Sequence, residues 1–115
     1  MPVIDLGNTI TQLEESLGLS PSELARVIDV DSRTVARWRS GGSLPQGRAR
    51  RRLDALWELR VRLEASFTSR DAIRRWLRGR SRYLGGKFSP LDALLLGRIE
   101  QVNAALDALD AGVFL

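Results

Sequence analysis

Ser32, Arg33, Thr34 and Arg37 place two guanidinium groups and two hydroxyls within six residues. If the stretch is helical, positions 33 and 37 are four apart and share a face. Arginine on a helix face reads base edges bidentately, and hydroxyls near a helix start reach phosphate, so this grouping is a candidate DNA contact. The charge behind it agrees. Residues 48–90 carry thirteen basic residues against four acids, while residues 1–47 carry four arginines against six acids. A cationic middle points to a polyanion, nucleic acid first; a solvated helix face in an arginine-rich chain has the same composition. Catalytic chemistry has little to draw on. Histidine and cysteine are both absent, which removes the commonest general base, thiol chemistry, disulfides and the usual zinc ligands. Asp107 and Asp110 lie three apart and read as a solvated face, and Gly85-Gly86 alone is a weak phosphate cradle. The expectation is a protein that is not an enzyme and has no metal and no cofactor.

The elements that position these residues are helices, with no strand-like alternation of more than a few positions. Apolar residues Ile10, Leu13 and Leu17 predict a helix over 8–17, closed by Gly18. Ser20-Pro21-Ser22-Glu23 is a capping box with proline at the first helical position. It opens a helix that carries Leu24, Val27 and Ile28 and ends near Asp29. Asp31 or Ser32 caps a third helix, which turns Val35 and Trp38 inward and stops at Gly41-Gly42. A long helix follows over about 48–67, with Leu53, Leu56, Trp57, Val61 and Leu63 as its apolar positions. Thr68 or Ser69 starts another through Ile73, Trp76 and Leu77. After a basic loop over 80–87, Ser89-Pro90 starts helices over 91–96 and about 98–109. At 115 residues and 43% hydrophobic composition the chain fits one domain, or a small domain with an appendage. It has no apolar run of membrane-spanning length and no signal-peptide pattern at its start, so the cytoplasm is the expected compartment.

The spacing over 20–38 is that of two short helices packed steeply across a tight turn. Ala25 is the small residue at the crossing, Leu24 and Ile28 flank it, Val30 points inward from the turn, and Val35 and Trp38 anchor the second helix. Ser32, Arg33, Thr34 and Arg37 are left outward. In these residues the segment resembles the Xre/Cro-like helix-turn-helix family, with Asp29 at a turn position that is often glycine; aspartate tolerates the left-handed backbone such a turn needs. An ordinary helical hairpin has the same core pattern.

The second half carries Trp76-Leu77, Arg82-Tyr83-Leu84-Gly85-Gly86-Lys87, Phe88-Ser89-Pro90-Leu91-Asp92-Ala93-Leu94 and Gly112 before an apolar end. This pattern resembles the toxin-binding domain of the Xre/MbcA/ParS antitoxin family, whose members also carry a helix-turn-helix in front. The resemblance implies an all-α fold: a helix-turn-helix DNA-binding region over 1–67, including the long connecting helix, and a small helical toxin-binding domain over 68–115. It also implies an antitoxin that neutralises a RES-domain, NAD-destroying toxin and represses its own operon by binding promoter DNA. The toxin contact is expected on Arg80, Arg82, Tyr83 and Lys87 and on the tail Gly112, Val113, Phe114 and Leu115. That tail either enters the partner's cleft, with its carboxylate on an arginine there, or folds back on its own core. A homodimer is expected, through apolar surface around Leu56, Leu63, Leu94 and Leu95. The alternative function is a helix-turn-helix repressor whose C-terminal half only dimerises.

Overall fold

Side-chain caps account for most of the helix starts. A computed structural model describes residues 5–112, and among them it holds seven α-helices, one 3-10 turn and no strand. The Asp5 carboxylate accepts from the Asn8 N–H at 3.0 Å and starts α1 (Leu6–Leu17) two residues ahead of the apolar spacing. Ser20 caps α2 (Pro21–Ile28) through the full capping box: its hydroxyl accepts from the Glu23 N–H at 3.1 Å, and Glu23 accepts from the Ser20 N–H at 2.9 Å. Asp31 caps α3 (Ser32–Ser40) and Ser69 caps α5 (Arg70–Arg78). Ser89 and Asp92 form a second capping box on α6 (Pro90–Leu95). The long helix α4 (Gly47–Ser66) and the last helix α7 (Ile99–Asp110) begin without a side-chain cap.

The helices bury a single continuous core. It joins Ile10, Leu13 and Leu17 of α1, Leu24 and Ile28 of α2, Leu53, Leu56, Leu59 and Leu63 of α4, Ile73 and Leu77 of α5, Leu94 of α6, and Val102 and Leu106 of α7. α1 packs on α3, α4 and α5, while α6 packs on α2, α5 and α7. The expected boundary at 67/68 is therefore not a gap in the core. Trp76 stacks obliquely on Phe67 across that point, with ring centroids 5.7 Å apart.

Two expectations about apolar residues change. In α4 the buried stripe is Leu53, Leu56, Leu59 and Leu63, and Val61 is 45% exposed. Val61 lies two residues from both Leu59 and Leu63, so a helix turns it about 200° away from that stripe. The expected dimer surface is also corrected: Leu56, Leu63 and Leu94 are buried within their own chain, and Leu95 packs partly against the same core. Leu56, Leu63 and Leu94 therefore have nothing to offer a second copy.

Ion pairs between distant helices complete the frame. Arg39 of α3 bonds Glu14 of α1 at 2.6 Å and the Thr11 hydroxyl at 3.0 Å. Arg62 of α4 reaches Asn103 at 3.0 Å, Asp107 at 2.7 Å and Asp110 at 3.5 Å on α7. Asp107 and Asp110 are thus the anchor of the α4–α7 contact rather than an unattached acidic face. Arg74 and Arg78 of α5 donate to the backbone carbonyls of Glu15 and Gly18, and Arg78 also bonds Glu23 at 2.9 Å. Burial raises the Glu23 pKa, but the bonds from the Ser20 backbone and Arg78 outweigh it, and the group titrates below its ordinary 4.5.

Candidate nucleic-acid and partner surfaces

Val35 and Trp38 are buried, which fixes the rotation of α3 and leaves Ser32, Arg33 and Arg37 exposed with Thr34 half-exposed beside them. All four sequence-predicted groups therefore reach solvent, and Arg33 and Arg37, four apart, share one face. The turn before them holds because Asp29 adopts φ 65, ψ 49, the one positive-φ residue other than glycine among the described residues. A left-handed residue here lets the Asp29 N–H and the Val30 N–H both return to carbonyls of α2, and Val30 packs against the core.

At the start of α3 a chain of hydrogen bonds orders the exposed face. The Asp31 carboxylate accepts from the Thr34 N–H at 2.8 Å and from the Thr34 hydroxyl at 3.0 Å. That hydroxyl in turn accepts from the Arg37 guanidinium at 3.3 Å. Asp31 consequently titrates below its ordinary 3.8, first because of the Thr34 backbone N–H, then the Thr34 hydroxyl, with the positive fields of Arg37 and Arg33 adding to it. Arg37 is held loosely, and Arg33 has no hydrogen-bond or ion-pair partner among the described residues. The Thr34 donors are thus spent on the Asp31 carboxylate, and the two outward arginines are the groups on this face suited to a groove edge lined by phosphates.

The second predicted surface is more ordered than a basic loop suggests. The Ser81 N–H donates to Phe88 O at 3.0 Å and the Gly86 N–H to Ser81 O at 2.8 Å, closing the segment around a 3-10 turn (Arg82–Leu84). Gly85 and Gly86 take φ 81 and 75, which the closure requires. Arg82 and Tyr83 sit on the turn. Arg80 and Lys87 flank its neck and line an open hollow of about 380 Å³ with Arg78, Ser89, Leu91 and Asp92. Gly112 lies after the end of α7, and Val113, Phe114 and Leu115 lie outside the described residues. Arg80 and Lys87 thus share one hollow, and Arg82 and Tyr83 sit on the adjoining turn.

Two further residues belong beside this group, Phe88 and Leu96, exposed by 51% and 59%. With Leu84, Ala93, Arg98 and Gln101 they line a shallow hollow of about 40 Å³. Phe88 precedes the Ser89 cap, where an apolar residue ordinarily staples onto the fourth helical position. That position is Ala93, too small to cover the ring, and this pairing was the available sequence signal.

Among the described residues no His, Cys, Asp or Glu grouping fits a metal ion and no helix is long and apolar enough to cross a membrane. No family model matches the chain. It is 33% identical to the mycobacterial cidal antitoxin MbcA of Mycobacterium tuberculosis over 115 residues, the whole of both chains, and equally so to MbcA of Mycobacterium bovis. A probable mycobacterial cidal antitoxin of M. tuberculosis, Rv3188, is 33% identical over 101 residues, 85% of this chain and 82% of that one. The fold superposes with a TM-score of 0.72 and 32% identity on a chain of the crystal structure of the M. tuberculosis MbcT-MbcA toxin-antitoxin complex, covering 100% of both.

Proposed function

Because the chain belongs to the MbcA family of mycobacterial cidal antitoxins, a family of non-enzymatic regulatory proteins, we propose that it is the DNA-binding antitoxin of a toxin–antitoxin pair. The observation that carries this reading is the end-to-end match in sequence to the antitoxin MbcA and in fold to a chain of the MbcT-MbcA toxin-antitoxin complex. The proposed partner is a RES-domain toxin that destroys NAD. The antitoxin acts in the cytoplasm and represses its own operon.

In this reading residues 1–67 work the DNA and residues 68–115 the toxin, a division of labour laid over one shared core. Ser32, Arg33, Thr34 and Arg37 face the major groove, and two copies of the protein read two half-sites. Arg80, Arg82, Tyr83 and Lys87 contact the toxin, and Phe88 and Leu96 add apolar area beside them. Gly112 lets the chain turn at the end of α7, and Val113, Phe114 and Leu115 supply an apolar anchor for a cleft that must admit a dinucleotide.

Removal of residues 113–115 is the test. Co-expressed with the toxin, the truncated protein fails to restore growth, while its promoter gel shift stays within a few-fold of the full chain. Full protection by the truncated protein moves the toxin contact to the helical surface before the tail. The alternative, a repressor whose second half only dimerises, predicts that no toxin co-purifies with the full chain.

A further inference from the structure

Between α2, α4 and the turn joining α6 to α7 lies a hollow of about 250 Å³. Val27, Ala55, Leu94 and Ile99 line it, and Arg48, Arg51 and Arg52 stand around it. It is separate from the exposed face of α3 and from the turn over 80–87.

Two of the three charges around this hollow are unspent. Of the six arginines in α4, Arg50 pairs with Asp54, Arg60 with Glu64, and Arg62 with α7. Arg48 stands 3.5 Å from Asp29. Arg51 and Arg52 alone in that helix have no hydrogen-bond or ion-pair partner among the described residues, and both line the hollow. Gly97 keeps the opposite wall low: a Cβ there would stand 3.4 Å from the Arg52 guanidinium. Guanidinium forks bind carboxylates and phosphates bidentately, and they do so most strongly where an apolar wall thins the water around them. An apolar cavity of about 150 Å³ is already enough for a benzene ring.

We propose that this hollow is a binding site for a small organic anion with a ring-sized apolar body. The body rests on Val27, Ala55, Leu94 and Ile99, and the carboxylate or phosphate is held by Arg51 and Arg52. The volume is that of a fragment-sized ligand rather than of a peptide or a duplex. The site is additional to the antitoxin reading and does not depend on it.

Calorimetric titration of the full chain, without DNA or toxin, tests the site with defined probes. Phenyl phosphate and benzoate should bind one per chain with a Kd of about 1 mM or tighter. Inorganic phosphate, which lacks the ring, and benzyl alcohol, which lacks the charge, should bind at least tenfold more weakly. Arg51→Gln with Arg52→Gln should weaken the ring anions at least tenfold. Ala55→Leu, which narrows the hollow without touching the charges, should weaken them comparably, with both variants keeping the wild-type circular dichroism spectrum. Inorganic phosphate binding as tightly as phenyl phosphate would reduce the site to a surface anion patch and overturn the proposal. So would ring-anion binding that survives both variants, or no ring-anion binding at all.

Discussion

Arg33, Arg37 and Arg39 share one nine-residue helix yet carry opposite assignments, and replacing each by alanine separates them. Arg33 has no hydrogen-bond or ion-pair partner among the described residues, and Arg37 has one exposed bond of 3.3 Å to the Thr34 hydroxyl. Truncating either should change folding stability by no more than about 0.5 kcal/mol. On promoter DNA, loss of an arginine that reads a base edge costs about 1–3 kcal/mol, roughly 5- to 150-fold in Kd. If one of them instead holds a phosphate, the slope of log K against log salt falls by about 0.9 and affinity drops evenly across sequences. Arg39 is different. Its guanidinium binds Thr11 and Glu14, and Glu14 already has its other carboxylate oxygen buried without a partner. Arg39→Ala leaves that carboxylate uncompensated, at a cost of about 1–3 kcal/mol. For a chain of this size each kcal/mol lowers the melting temperature by about 4 °C. Gel shifts at two salt concentrations and thermal melts on the three variants read both quantities. Promoter affinity and salt slope unchanged in Arg33→Ala and Arg37→Ala would refute the groove assignment. So would an Arg39→Ala protein that melts normally but no longer binds DNA.

Arg62→Ala should cost about 1–2 kcal/mol, because it removes the fork that joins Asn103, Asp107 and Asp110 to α4. Its urea midpoint should fall, and Arg62→Lys should recover only part of the loss, since a single ammonium cannot span the three acceptors. At the left-handed position 29, Asp29→Gly should be more stable than Asp29→Ala by about 1 kcal/mol; equal melting temperatures would mean that the turn relaxes in solution. Asp31 and Glu23 both titrate below their ordinary values of 3.8 and 4.5. The unfolded chain therefore takes up protons first as pH falls, so the stabilisation from these groups is complete above about pH 5 and is lost as pH drops through that range and below. Asp31→Asn, which keeps a capping oxygen, and Glu23→Gln should each flatten the melting-temperature profile between pH 5 and 3 and leave its shape above pH 5 unchanged.

The features legible in residue order alone lie within a few residues of each signal. Ser20-Pro21 with Glu23, and Ser89-Pro90 with Asp92, specify helix starts because the capping atoms are three positions apart along the chain. Leu24, Ala25, Ile28, Val35 and Trp38 specify how α2 crosses α3, and the aspartate at 29 takes the left-handed turn, since its backbone preference is local. The outward face of α3 follows from those anchors by helical periodicity alone. Which charges and which apolar surfaces stay available depends on how the helices pack. Arg39 and Arg33 are alike in sequence, but α1 brings Glu14 to one of them from 25 residues away. Asp107 and Asp110 look like a solvated pair until Arg62 arrives from 45 and 48 residues upstream. Leu56, Leu63 and Leu94 have the composition of an interface, yet helices remote in sequence cover them, while Leu59 rather than Val61 faces inward in α4. The hollow beneath Arg51 and Arg52 is walled by three elements far apart along the chain. Caps and turns are short-range interactions, whereas ion-pair choice and burial are set by whatever surface another element delivers within a few ångströms.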